Sequence, residues 1–74
     1  MSWKKEHEAM LKEIGQKLCE LRKEQGMSQL DLAVEADLSQ TFISRLERGA
    51  ANPTVKSLQR IAHILGRKIT IDII

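Results

Sequence analysis

The chain has little of what several classes of protein require. Its single cysteine excludes an internal disulfide, and that cysteine and the two histidines show no metal-ligand spacing. No apolar run approaches the roughly 20 residues of a membrane span, and the N-terminus lacks the apolar stretch of a signal peptide. We therefore predict a cytoplasmic protein with no cofactor and no metal.

Aromatic side chains are also scarce, since Trp3 and Phe42 are the only two. Leucine, isoleucine, valine and alanine must then build the core, and these residues suit helices packed on helices. A content of 42% hydrophobic and 30% charged residues favours a folded chain over a disordered one. Seventy-four residues allow one domain near the lower end of independent stability, so dimerisation would add useful burial.

The charges are distributed unevenly along the chain. Residues 1–38 carry six basic side chains against eight acidic ones, a balance of −2, and residues 39–74 carry six against two, a balance of +4. The second half could present a face to a polyanion, although an ordinary solvated surface also explains the charge. There is no glycine-rich phosphate loop, nucleophile–base pair or carboxylate cluster, and so we predict that the chain is not an enzyme.

Helical periodicity covers the first and the last helix of the predicted domain. Residues 1–10 form an N-terminal extension, either frayed or helical, and the first helix is predicted over roughly 8–25. A fourth helix follows Thr54, its N-cap, and closes at Gly66. The domain itself is predicted over 11–66. The apolar positions with helical spacing are Leu11, Ile14, Leu18 and Leu21 in the first helix and Val55, Leu58, Ile61, Ala62 and Leu65 in the fourth.

Two short helices lie between them. Ser28 is a suitable N-cap with Asp31 three residues on, and the helix that it opens stops near Ala36. Ser39 caps the next helix, which ends at Gly49. The turn between these helices requires a residue near left-handed geometry, and Asp37 is of a type that tolerates it.

The last eight residues, 67–74, follow a different pattern. Ile69, Ile71 and Ile73 alternate with other residues, and this pattern predicts a β-strand. No second strand is predicted elsewhere in the chain, and an unpaired strand leaves its backbone groups unsatisfied. We expect pairing with a second copy across a two-fold axis; pairing with another protein's sheet is the alternative.

Four stretches of this chain together resemble the Cro/C1-type (XRE) helix-turn-helix family. They are Met27-Ser28-Gln29-Leu30-Asp31-Leu32-Ala33, Leu38-Ser39, Ile43-Ser44-Arg45-Leu46-Glu47-Arg48-Gly49 and Asn52-Pro53. The resemblance covers roughly residues 14–66. It implies a mainly α, lambda-repressor-like domain of four to five helices, followed here by the C-terminal strand. The main departure is Asp37, which stands at the usual turn glycine.

The resemblance also implies roles for individual residues. Arg22 and Glu47 match a structural ion pair that ties the first helix to the third. Four residues match positions that contact base edges, and their amide, hydroxyl and guanidinium groups suit such contacts; these are Gln40, Thr41, Ser44 and Arg45. Five match or lie near phosphate-contacting positions: Gln29, Arg48, Asn52, and also Ser28 and Ser39, whose capping role by itself would explain them. Phe42 is expected to pack inward in preference to lying at the sugar-phosphate surface.

These roles predict a sequence-specific regulator of transcription that binds double-stranded DNA. A homodimer would place two third helices in successive major grooves of a near-palindromic operator, about 34 Å apart. Repression is the favoured outcome, and activation stays open. The alternative is an antitoxin that neutralises a toxin protein and represses its own promoter. The resemblance extends to the HipB-like and HigA-like antitoxins, some of which carry a strand after the fourth helix.

Overall fold

The computed structural model describes residues 2–69, and four α-helices make up the regular structure of this range. A mainly α fold is thus confirmed. No helix among these residues is both long and apolar enough to cross a membrane. The helices are α1 (Trp3–Glu24), α2 (Gln29–Ala36), α3 (Gln40–Glu47) and α4 (Val55–Ile64).

Helix α1 starts earlier than its apolar pattern suggested. The start near residue 8 was too late, and the helical alternative for residues 1–10 holds: the helix begins at Trp3, and Ser2 caps it by accepting a hydrogen bond from the Lys5 backbone nitrogen. Residues 3–10 contain mostly lysine, glutamate and alanine, which favour helix by intrinsic propensity without an apolar stripe. The N-terminal extension therefore continues α1 and is not a separate segment.

The segment from α2 to α3 follows its local sequence signals closely. Ser28 Oγ accepts a hydrogen bond from the Asp31 backbone nitrogen at 3.0 Å, and the Asp31 carboxylate accepts one from the Ser28 nitrogen at 2.9 Å. This reciprocal capping box opens α2. Asp37 ends it in the left-handed conformation, with φ of 55° and ψ of 46°. Ser39 then caps α3 through the Phe42 nitrogen at 3.0 Å.

The core is built almost entirely from aliphatic side chains. Helix α3 packs against α1 and α2, and α4 packs against α2. Phe42 is half-buried and packs against this core, as expected. The largest fully buried side chains are Leu32, Ile43, Leu46, Ile61 and Leu65. Helix α1 adds Leu18 and Leu21 to this core, and the two inward residues of α3, Ile43 and Leu46, are fully buried in it.

A glycine in the middle of α1 allows the close approach of α3. A Cβ atom added at Gly15 would lie 2.8 Å from the Glu47 carbonyl oxygen, and it would also collide with the carbonyl of Leu46. Glycine is unfavourable inside a helix by roughly 0.5–1 kcal/mol relative to alanine. The close contact between the two backbones explains why the residue stands there.

The tail after α4 differs from its prediction as far as the structure describes it. Gly66 has a positive φ of 71°, and the Arg67 nitrogen donates to the Ala62 carbonyl at 2.8 Å. Arg67 thus still takes part in capping α4, and residues 67–69 have no regular secondary structure of their own. The start of the predicted strand at residue 67 is wrong for this reason. The rest of it, including Ile71 and Ile73, lies outside the described residues.

Candidate DNA-binding surface

One face of α3 is polar and points away from the core. Ile43 and Leu46 are 0% and 1% exposed, whereas Gln40, Thr41 and Arg45 are exposed and Ser44 is half-buried. Side chains three or four residues apart share a face of a helix, so the apolar pair fixes the opposite side outward. The structure therefore brings the four residues predicted to contact bases onto one outer surface.

This face borders a shallow polar cleft of about 240 Å³ at the start of α2. Gln29 lies on one side of it, and on the other lie residues of α3 and its C-cap: Gln40, Thr41, Ser44 and Arg48. The cleft is therefore lined by three residues predicted to contact bases and two predicted to contact phosphate. The first are Gln40, Thr41 and Ser44, and the second are Gln29 and Arg48. Arg45 and Asn52 do not line the cleft.

Arg45 is oriented toward the loop that follows α3. Its Nη2 atom donates a hydrogen bond to the Ala50 carbonyl oxygen at 3.2 Å. Ala51 is buried and anchors the same loop, while Asn52 beside it is exposed. A guanidinium group has five N–H donors, so this contact limits the direction of the side chain without using up its donors.

The amide of Gln29 is held from inside the protein. Its Nε2 atom donates to Glu47 Oε1 at 3.0 Å, across the interface between α2 and α3. An amide nitrogen carries two N–H groups, so one of them is left for an acceptor outside. The hydrogen bond to Glu47 therefore orients a side chain that the family resemblance places against a phosphate.

Glu47 also forms the ion pair that links α3 to α1. Arg22 donates to it twice, from Nε to Oε2 at 2.7 Å and from Nη2 to Oε1 at 3.0 Å, and a third donor, Nη1, reaches the Met27 carbonyl at 2.7 Å. Both side chains are almost fully buried, at 9% and 5% exposure. The structure thus brings together the two residues that the resemblance pairs.

The protonation equilibria of this pair reflect its geometry. Burial acts to raise the pKa of Glu47, but the hydrogen bonds from Arg22 and Gln29 outweigh it, and the pKa lies below its ordinary value. The hydrogen bond to Glu47 raises the pKa of Arg22 despite burial. Both groups are charged near neutral pH, as a buried pair with satisfied hydrogen bonds requires.

The capping serines are occupied within their own helices. The hydroxyl oxygens of Ser28 and Ser39 accept hydrogen bonds from Asp31 and Phe42. These contacts explain both residues without DNA, which agrees with the preference for capping. Any contact with phosphate remains a prediction.

The basic side chains of the second half do not form a single face. Arg60 donates to the Ala36 carbonyl at 2.9 Å and so supports the end of α2, while Arg67 and Lys68 line a groove between α1 and α4. Only Arg45 and Arg48 belong to α3 and its C-cap. The net positive charge of residues 39–74 therefore did not predict where the basic side chains lie on the folded protein.

Two contacts of this surface were absent from the sequence prediction. Gly15 allows α3 to approach α1, and a glycine inside a helical pattern was a signal for such a contact. The hydrogen bond between Gln29 and Glu47 had no signal, because the two residues are 18 positions apart in different helices.

Known proteins are similar to this chain in both sequence and fold. A family model described as Helix-turn-helix matches residues 20–71. An uncharacterized HTH-type transcriptional regulator of Sinorhizobium fredii, y4dJ, is 40% identical over 57 residues, which are 77% of this chain and 74% of that protein.

Solved structures agree with this match. The restriction-modification controller protein C.AhdI of Aeromonas hydrophila has a TM-score of 0.78 and 33% identity, covering 81% of this chain and 91% of that one. SinR, a master regulator for biofilm formation solved in complex with DNA, has a TM-score of 0.71 and 32% identity, covering 74% and 89%. The chain is therefore a member of the Cro/C1-type helix-turn-helix family of DNA-binding transcriptional regulators.

Proposed function

We propose that this protein inserts α3 into the major groove of an operator and represses transcription as a homodimer. The observation that carries the proposal is the outward polar face of α3, with Gln40 and Arg45 exposed and Ile43 buried beneath them. The major groove admits one α-helix, and glutamine and arginine can each form two hydrogen bonds with an adenine or a guanine edge.

The cleft beside α3 is suited to the backbone of the DNA. Gln29 would donate its second N–H to a phosphate, at the helix N-terminus of α2, where the first backbone N–H groups also favour an anion. Arg48 and Asn52 are exposed near the other end of α3 and would contact the same strand. Such contacts set register and salt dependence and carry no direct sequence information.

The dimer follows from the tail and from the geometry of the operator. The tail contributes the sequence alternation of Ile71 and Ile73, which lie outside the described residues; a strand there would pair with the same strand of a second copy. Two copies of α3 would then meet successive major grooves about 34 Å apart. Occupancy of a promoter by such a dimer would block transcription.

Selection of binding sites from random DNA tests the proposal. We expect the purified protein to enrich a near-palindromic sequence whose half-sites are one helical turn apart. Gln40→Ala should change the base preferred at one position of each half-site. The matched control Gln59→Ala, which removes an exposed glutamine of α4, should leave the selected sequence unchanged. A lack of any sequence preference at low ionic strength would contradict the proposal.

The antitoxin hypothesis gains no support from the relatives. Those described above are named as transcriptional regulators and a controller protein. The strand on which that hypothesis depended lies mostly outside the described residues. DNA binding is therefore the single function that we propose.

A further inference from the structure

An apolar groove of about 900 Å³ lies between α1 and α4, and none of the residues around the polar cleft lines it. Two of its lining side chains are open to water, since Met10 of α1 is 58% exposed and Val55 of α4 is 53% exposed. Single exposed apolar side chains are ordinary, but here they border one continuous depression. Residues 2–69 therefore leave an apolar surface at this place without a covering element.

Basic side chains predominate at the rim of this groove. Lys17 of α1 and two residues after α4, Arg67 and Lys68, line it, and Glu13 is the one acidic residue of the lining. All four are exposed. The groove thus combines an apolar interior with a net positive rim. Such a surface favours an occupant that offers apolar side chains with acidic ones beside them.

The outer face of α2 has this complementary pattern. Leu30 and Val34 lie one helical turn apart and are 54% and 70% exposed. Asp31 and Glu35 follow them in the sequence and are exposed as well, so an acidic row lies beside the apolar row on the outside of the helix. Helix α2 contains no basic residue. The chain therefore carries both a basic, apolar groove and an acidic, apolar helix face.

We propose that the outer face of α2 in one copy of this chain docks in the groove between α1 and α4 of a second copy. Leu30 and Val34 would enter the groove, and Glu35 would face its basic rim. The two surfaces are different parts of the chain, so the contact is head-to-tail, unlike the pairing of one strand with its own copy across a two-fold axis. Helix α2 has eight residues, and we expect the small buried area of a transient contact, below about 1,200 Å².

The contact leaves the polar cleft open, because neither surface includes a residue that lines the cleft. The inference goes beyond DNA binding and does not depend on it.

Disulfide trapping between two full-length chains tests the contact and also captures a transient one. Both chains carry Cys19→Ser, which removes the free thiol, and one of them is isotopically labelled so that mass distinguishes mixed dimers from like dimers. One chain carries Val34→Cys, and the other carries Met10→Cys or Val55→Cys. A disulfide requires Cα atoms within about 7 Å. We expect mild oxidation to give the mixed dimer in at least one of these pairs.

The matched control replaces Met10→Cys with Gln16→Cys. Gln16 is an exposed residue of α1 that does not line the groove, and its yield of mixed dimer should be at least tenfold lower. Equal yields in test and control, or no mixed dimer in either test pair, would overturn the proposal. So would like dimers of the Val34→Cys chain in place of mixed ones, since these would indicate an isologous contact of α2.

A second comparison tests the role of charge. Adding Glu35→Lys to the Val34→Cys chain should lower the yield of mixed dimer at least threefold, whereas Glu20→Lys, at an exposed position of α1 outside the groove, should leave it unchanged. Equal effects of the two reversals would contradict docking of the acidic row at the basic rim. The assay contains no DNA, so its failure leaves the DNA-binding proposal to be judged by site selection alone.

Discussion

The two sides of α3 differ in how much the rest of the protein constrains them. On the side of α1, the backbones meet at Gly15, and Glu47 accepts hydrogen bonds from Arg22 and Gln29. On the outer side, Gln40 and Thr41 are exposed, and their side chains form no hydrogen bond with any other residue in the described range 2–69. The contacts on the inner side fix the position of α3, so the side chains on its outer side are not needed to hold the helix in place. Substitutions on the inner side of α3 should therefore lower the stability of the protein, and substitutions on its outer side should alter its affinity for DNA.

The largest effect is expected for Glu47→Ala. The substitution leaves the Arg22 guanidinium buried without its partner and removes the acceptor of Gln29. Breaking such a pair destabilises a protein by about 3–5 kcal/mol. Urea unfolding followed by circular dichroism measures the change. Glu35→Ala, which removes an exposed glutamate of α2, is the control and should change stability by less than about 0.5 kcal/mol. Equal stability of the two variants would show that the inner side is not constrained as the structure indicates.

Gly15→Ala tests the same inner side through its backbone contact. The added Cβ would push against the carbonyl oxygens of Leu46 and Glu47, which belong to the backbone and cannot rotate away. We expect a net loss of about 1–3 kcal/mol, although alanine is the better helix former. The neighbouring variant Gln16→Ala, at an exposed position, should be neutral or slightly stabilising. A gain in stability for Gly15→Ala would mean that α1 and α3 do not approach so closely.

Arg45→Ala tests the outer side, where stability should hardly change. We expect the thermal midpoint to stay within experimental error while preference at one base pair weakens by about 1–3 kcal/mol. Fluorescence anisotropy on the selected operator and on random DNA measures both affinities, with Lys56→Ala on α4 as the control. Equal losses on the two DNAs would show that Arg45 contacts phosphate and not a base.

Lowering the pH should gradually reduce the stability that the inner side of α3 contributes. Of the predicted effects, this is the smallest. The lowered pKa of Glu47 means that its contribution to stability is fully present above the unfolded value, near 4.5, and is lost as pH falls through the lowered folded value. The Ser28 backbone hydrogen bond similarly lowers the pKa of Asp31. Unfolding free energies between neutral pH and about pH 3 measure the slope. Glu47→Gln should make the unfolding free energy depend less steeply on pH. If that free energy fell equally with pH in the variant and the unchanged protein, Glu47 would not be a source of the pH dependence.

Much of the fold was predictable because its signals are local. Ser28 and Ser39 cap their helices through backbone nitrogens three residues on, and Asp37 adopts the left-handed turn that its residue type permits. For residues 1–10 the sequence left a frayed and a helical alternative open, because lysine and glutamate form helix without an apolar period; the structure has the helical one. Family resemblance supplied what local signals could not, above all the pairing of Arg22 with Glu47.

The sequence by itself determined the helices α2 and α3, the turn between them and the outward direction of the polar residues on α3. Capping and helical periodicity act over three or four residues, so these features needed no knowledge of distant parts. Only the tertiary structure decided that Gln29 would bind Glu47, that Gly15 would meet the end of α3, and that Arg60 would bind α2. Those contacts depend on how the helices pack against one another. A glycine inside a helix signals a close approach, but no local feature of the sequence identifies the partner in any of the three contacts.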